Sequence, residues 1–275
     1  MQDRSQIAGA HRVVVKVGSS SISGENHYRI ESIVDALAAA RARGTQVVLV
    51  SSGAIATALP FLNLEGRPSD LATQQAAAAV GQNVLMWRYQ TSLERHGMLA
   101  GQVLLTAGDL ENPAHRANAR RAMDRLLGLG VLPIVNENDT VATHEIRFGD
   151  NDRLAALVAE LIGADALILL SDIASLYTRP PSEPGAEAID TVPYGDDLSR
   201  FEFGSVVVNS VGTGGAATKA SAARLAAAAG VGVLVTAADL VESALAGTEV
   251  GTWFAPNPDA PVRTGTTPLP TVTSA

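Results

Sequence analysis

Short runs of β-branched and aliphatic residues alternate with longer Ala-rich stretches along most of the chain. The runs at 12–17, 46–51, 101–106, 132–136, 166–171 and 231–236 are apolar nearly throughout, with little polar alternation. Strands of that kind are buried on both faces, the usual condition inside a parallel sheet. The stretches at 28–43, 69–95, 113–129, 151–162, 218–229 and 239–246 have helix-forming composition and the length of crossover connections. The pattern predicts an α/β fold over residues 12–254: a doubly wound, mostly parallel sheet with helices on both faces. Residues 1–11 are polar and read as a flexible N-terminus. The Pro/Gly/acid-rich stretch 179–195 reads as a surface loop, and residues 255–275 as a disordered tail.

In such sheets ligands collect beyond the carboxyl ends of the strands, so the strand exits are where chemistry is sought. Each exit here is small, polar or acidic. The first strand ends in Lys16 and runs into Gly18-Ser19-Ser20-Ser21, a loop whose N–H groups can face an anion beside a point charge. The spacing is not that of a Walker A loop. The second exit, Ser51-Ser52-Gly53-Ala54, offers neutral donors suited to a carboxylate and lacks the hydrolase G-x-S-x-G pattern. The fifth brings out Ser171-Asp172, an acid that either caps the next turn or faces a ligand. Further on, Gly212-Thr213-Gly214-Gly215-Ala216-Ala217-Thr218-Lys219 leads into a helix, combining N–H donors, the helix dipole and a cation for a polyphosphate. A lysine in a first helical turn opposes that dipole, so Lys219 requires a negative partner nearby.

Two acid- and amide-rich clusters, Asn136-Glu137-Asn138-Asp139 and Phe148-Gly149-Asp150-Asn151-Asp152, flank the extended stretch 143–147. A hairpin there would bring them to one rim, able to hold an ammonium, a metal ion or a lysine; a solvated acidic loop is the plain alternative. The EF-hand spacing is absent.

Composition narrows the choice. A net charge of −8 and a pI near 5.1 give no long-range attraction to nucleic acid or an anionic membrane. Without cysteine, thiolate catalysis, disulfides and cysteine-held metals are excluded. No apolar run approaches the roughly 20 residues of a membrane span, and a cytoplasmic protein is expected. The five histidines are scattered and have no triad or metal-ligand neighbour. The arginines 116, 120, 121 and 125 are spread around a helix and read as a solvated surface.

Taken together, the segment 50–56 (Val-Ser-Ser-Gly-Ala-Ile-Ala), Asn136–Asp139 with Val141-Ala142-Thr143, and Phe148–Asp152 resemble the glutamate-phosphorylating branch of the amino-acid kinase family. The resemblance covers residues 12–254. Kinases of aspartate, uridylate, carbamate and acetylglutamate share mainly the lysine–glycine start. The resemblance implies that Lys16, Ser171, Asp172, Thr213, Gly214, Gly215, Ala216, Ala217, Thr218 and Lys219 bind ATP. It implies that Ser52, Asp139 and Asn151 bind L-glutamate, and that Asp152 orients Lys16 and Lys219 at the transferred phosphoryl group. Bottom-up chemistry fits: Asp139 suits the acceptor's ammonium, while Ser52, Gly53 and Asn151 suit its α-carboxylate. Mg2+ is expected on the nucleotide, with no dedicated metal site. The resemblance further implies proline as feedback inhibitor, transfer of product to glutamate-5-semialdehyde dehydrogenase, and homo-oligomeric assembly. The chain departs from the family in Ala216, where Met is usual, and in Ala174-Ser175, where Asp-Gly is usual; no sequence remains for the C-terminal PUA domain of many relatives.

The rival readings are a sister kinase with another acceptor and a non-catalytic amino-acid or nucleotide sensor, which a substrate panel and single-turnover assays separate. A dinucleotide oxidoreductase is disfavoured because the first strand exit lacks G-x-G-x-x-G.

Overall fold

The computed structural model describes residues 1–141, 151–199, 201 and 215–261. Among these, the strands are β1 (Arg12–Lys16), β2 (Gln46–Val50), β3 (Ala100–Leu105), β4 (Leu132–Glu137), β5 (Ala166–Ser171), β6 (Thr191–Val192), β7 (Gly232–Ala237) and β8 (Thr252–Phe254). They form one sheet in the order β3-β4-β2-β1-β5-β7-β8-β6, parallel except for the β7–β8 pair. The helices are α1 (Arg29–Ala42), α2 (Ala54–Ala58), α3 (Leu71–Glu94), α4 (Ala107–Glu111), α5 (Pro113–Gly128), α6 (Asn151–Leu161), α7 (Ala216–Ala228) and α8 (Val241–Leu245).

Five of the six apolar runs become strands covered on both faces of the sheet, whereas β3, at its edge, leaves Gln102 and Leu104 exposed. Val13 and Val15 of β1, Leu49 of β2 and Ile168 of β5 pack on one side with residues of α1, α3 and α8. Their alternate neighbours Val14, Val50 and Leu167 pack on the other side with α6 and α7. Period-two alternation therefore divides residues between two cores rather than between core and water.

Chain order places the topological switch between β1 and β5. From β1 the chain passes to β2, on to β3 at the sheet's edge and back to β4 between them, then crosses to the far side of β1 as β5. The exits of β1 and β5, Lys16 and Ser171-Asp172, flank the crevice where a doubly wound sheet binds ligands.

Three places differ from the sequence pattern. The polar start forms a 3-10 turn over Arg4–Gly9, fixed by buried Ile7 and by Arg4. The Arg4 guanidinium donates to the carbonyls of Val250 at 3.0 Å, Gly251 at 2.9 Å and Asp190 at 2.8 Å. The stretch read as a surface loop contains β6, which pairs with β8. Past β8 the chain stays attached at first, with Asn257 N donating to Ala227 O at 2.8 Å; residues 262–275 lie outside the described ones.

Candidate active site

Lys16 ends β1, and the Nζ of this 4%-exposed residue stands 2.6 Å from Asp152 Oδ1. Lys219, four residues into α7, reaches the other oxygen, Oδ2, at 3.2 Å. Asp152 lies in the first turn of α6 and is 2% exposed. A helix N-terminus favours a carboxylate there. Burial, the largest single influence, pushes the Asp152 pKa upward; the two ammonium groups and their hydrogen bonds together outweigh it and lower it to about 2. Asp152 is thus the negative partner that Lys219 requires. Among the described residues the cluster sets two cations against one anion, an arrangement matched to an anionic ligand.

Residues 215–219 supply the rim. Gly215 is the extended N-cap of α7, and its N–H donates to Thr218 Oγ1 at 3.0 Å. The Thr218 hydroxyl has two acceptors within reach of its one proton, Gly215 O at 2.9 Å and Asp152 Oδ2 at 3.1 Å. Ala216 and Ala217 open the first turn, so the helix starts two residues earlier than its composition suggested. Opposite lies the loop after β1, where Ser20 Oγ donates to Asp172 Oδ2 at 2.8 Å. Asp172 therefore ties the exits of β1 and β5 together, with Ser171 as the last residue of β5. Thr213 and Gly214 lie outside the described residues.

A second polar cluster gathers at the exits of β2 and β4. Gly53 adopts φ +88°, and a Cβ there would stand 3.3 Å from the Ser19 backbone, so the turn into α2 needs glycine. Asn151 Nδ2 donates to Ser52 Oγ at 3.0 Å and to Asn136 Oδ1 at 3.2 Å. Asn151 Oδ1 is buried and has no partner among the described residues. Asp139 follows β4 and is half-buried. Burial pushes its pKa up to about 6, although Arg67, from the loop before α3, pulls in the opposite direction. The residues between the two acidic clusters, 142–150, lie outside the described ones, and with them the expected hairpin, Phe148, Gly149 and Asp150.

A cavity of about 610 Å3 lies along α7, walled by Leu198, Ala217, Leu225 and Phe254, with Asp196 and Arg224 among its polar lining. Among the described residues no group of three or more His, Cys, Asp or Glu side chains is placed to hold a metal ion, and no helix is long and apolar enough to cross a membrane.

The sequence pattern did not single out Gln82 of α3. Its Oε1 accepts from Asn136 Nδ2 at 2.7 Å. The available signal was Gly81 in the middle of a long Ala-rich helix, a position that marks close backbone approach. A Cβ there would fall 1.7 Å from Ala54 O.

A sequence model described as the amino acid kinase family matches residues 11–237. The chain belongs to the amino acid kinase family. Among members of that family, it is similar to a protein named glutamate 5-kinase of Clavibacter sepedonicus, 69% identical over 253 residues that cover 92% of this chain and 97% of the relative. It is similar as well to the glutamate 5-kinase of Leifsonia xyli subsp. xyli, 66% identical with 96% and 97% of the two chains covered. Among solved structures it resembles a carbamate kinase from Giardia lamblia bound to AMP-PNP, with a TM-score of 0.65, 16% identity, and 91% and 100% of the chains covered. At that identity the likeness speaks for the family fold alone. The lysine–carboxylate cluster stands at the sheet's switch point.

Proposed function

We propose that this chain transfers the γ-phosphoryl group of ATP to the side-chain carboxylate of L-glutamate, giving L-glutamyl 5-phosphate for proline synthesis. The observation that carries this reading is the buried Lys16–Asp152–Lys219 cluster, with its two cations on one anion, beside the Ser52–Asn151 pair. High identity to proteins named glutamate 5-kinase supports the choice of acceptor.

The acceptor's carboxyl group has an ordinary pKa near 4.3. It is already ionised at neutral pH and needs no general base. Phosphoryl transfer then rests on alignment and charge neutralisation. Lys16 and Lys219, fixed on one carboxylate, face the charge that builds on the moving group. Asp152 holds both, and the Thr218 hydroxyl and first N–H groups of α7 receive phosphate oxygens. The apolar walls and polar lining of the cavity along α7 suit a nucleoside. Asp139 and the Asn151 carbonyl take the acceptor's ammonium, and the Ser52 hydroxyl and Gly53 N–H bind its α-carboxylate. The donor set fits Mg2+ that arrives on the nucleotide's phosphates, since Asp152 is committed to two lysines; the ion supplies further neutralisation of phosphate charge.

The product is an acyl phosphate, prone to hydrolysis, and the reading extends to prompt consumption by a reductase of the glutamate-5-semialdehyde dehydrogenase class. Proline carries the same ammonium and carboxylate pair as glutamate, and the reading extends to it as an inhibitor competing for this pocket. The test is ATP turnover with L-glutamate, L-aspartate, N-acetylglutamate and UMP side by side, with the product trapped by hydroxylamine as a hydroxamate. Glutamate should be preferred and a hydroxamate should form. Turnover with another acceptor, or ADP release without a trapped product, overturns the reading.

A further inference from the structure

The amide cluster between α3 and the strand exits has a direction, and one backbone group sets it. Glu137 N–H can only donate, and it lies 2.9 Å from Asn136 Oδ1. That contact fixes which end of the Asn136 amide is oxygen. The other end, Nδ2, must then meet an acceptor, which is Gln82 Oε1 at 2.7 Å. Asn136 Oδ1 also requires a donor from Asn151, so Asn151 presents Nδ2 to it and, with its second hydrogen, to Ser52 Oγ. Ser52 Oγ thereby accepts and keeps its own proton free to donate; no acceptor for that proton stands among the described residues. Asn151 Oδ1 is likewise left as a buried acceptor.

We propose that Gln82 is a positioning residue for the acceptor pocket: as terminal acceptor of this one-way relay, it orients Asn136, Asn151 and Ser52. The relay ends in one hydroxyl donor and one carbonyl acceptor, the pair that an α-carboxylate and an ammonium call for. Its start is immobile. Gln82 is 8% exposed, and Gly81 beside it lets the α3 backbone rest against Ala54 of α2, the helix that begins at the Ser52-Gly53 turn. One segment of α3 therefore fixes both the position of that turn and the polarity of its hydrogen bonds. Without an acceptor at position 82, the Asn136 Nδ2–H is a buried donor with no partner, and the amides are free to rotate.

This assignment rests on the acceptor reading above, and two substitutions test it. Gln82→Met keeps length and helix propensity but removes the acceptor; Gln82→Glu keeps an acceptor oxygen facing Asn136. The two should separate in steady-state kinetics with glutamate and ATP varied independently. Gln82→Met should raise the KM for glutamate on the order of tenfold and leave the KM for ATP within about twofold. Gln82→Glu should stay within about threefold of wild type. If Gln82 served packing alone the order would reverse, because Met fills the space and Glu buries a charge. An unmoved glutamate KM in Gln82→Met overturns the proposal. So does a rise in both KM values, a failure of Gln82→Met to fold, or Gln82→Glu being the worse variant. Wild type is assayed alongside: no wild-type phosphorylation of glutamate refutes the functional reading itself, whereas wild-type turnover with an unmoved Gln82→Met KM refutes only the role of Gln82.

Discussion

Asp152→Asn is nearly isosteric and removes one charge from the middle of the cluster. The two lysine nitrogens sit 2.6 and 3.2 Å from opposite oxygens of that carboxylate. At a separation of roughly 6 Å and an effective dielectric of about 20, their repulsion is about 3 kcal/mol once no anion lies between them. An amide can accept from one lysine but turns an N–H toward the other. At least one ammonium must therefore leave its position, and a charge aimed at a transferring group is worth ~100- to 1000-fold in rate. The expected result is a kcat lower by that order, with the glutamate KM much less affected. Stability should fall by about 3 to 5 kcal/mol, the usual consequence of stranding buried charges. The Asp152 pKa is depressed from 3.8 to about 2 in the folded state. Its contribution is therefore present above pH 3.8 and lost as pH falls toward 2. The stability gap between wild type and variant should be constant from neutral pH down to about 4 and narrow below it. The assay is ADP release at saturating substrates, paired with urea denaturation at several pH values. A second arm compares Lys219→Met alone and in the Asp152→Asn background, where the added loss should be small because the lysine is already misplaced. A kcat within threefold of wild type in Asp152→Asn, or fully multiplicative losses in the double variant, would refute the reasoning.

Asp139, raised to about 6, should make kcat/KM for glutamate fall about tenfold per pH unit below pH 6; Asp139→Asn should abolish that limb and raise the glutamate KM on the order of a hundredfold. Because the ionised form is disfavoured in the folded state, its cost appears as pH rises from 3.8 through about 6, so Asp139→Asn should be the more stable protein at pH 7, by roughly 1 kcal/mol after solvent screening; an unchanged Tm counts against this. Gly81→Ala sets a Cβ against Ala54 O and should cost about 2 to 4 kcal/mol while raising the glutamate KM, since α2 must move with the Ser52-Gly53 turn; wild-type thermal melting would contradict it. Arg4→Ala removes bonds to the carbonyls of Asp190, Val250 and Gly251 and should lower Tm by several degrees with both KM values unchanged.

The sheet was legible because strands buried on both faces cannot avoid apolar residues, and 12–17, 46–51 and 166–171 had no other use for them. β6 and β8 were not: Thr191–Val192 and Thr252–Phe254 are too short for periodicity, and antiparallel β8 exists because Trp253 and Phe254 pack onto β7. The turn at Arg4–Gly9 was illegible for another reason. Its anchor is a charged side chain that finds backbone carbonyls some 246 residues away, and local composition carries no trace of them. Within the site, exits such as Lys16 and Ser171-Asp172 were readable because strand ends announce themselves. That Lys219 needs a negative partner was foreseeable from the dipole argument, whereas Asp152 as that partner followed only from the family resemblance. Gln82 was not, since one amide in an Ala-rich helix looks like solvated surface until the fold turns it inward.

The whole chain bears −8, yet its proposed substrates are a polyphosphate and a dicarboxylate. Long-range repulsion therefore opposes encounter, and capture depends on two buried lysines and on N–H groups that act within a few ångströms. At physiological ionic strength the Debye length is ~8 Å, so the surface field is screened while the buried lysines and their carboxylate are screened much less. Selectivity then falls to short-range geometry: the charges of Lys16 and Lys219 take the phosphoryl group, and oriented neutral amides take the amino acid. Placing the lysine charges where phosphate moves and, beside Asp139, fixed dipoles where the acceptor rests lets a neutral group such as Gln82 matter only to acceptor binding. The same division explains why the two clusters meet at neighbouring residues of one helix start: Asn151 belongs to the amide relay and Asp152 to the lysine cluster, and the first turn of α6 sets the distance between acceptor and donor.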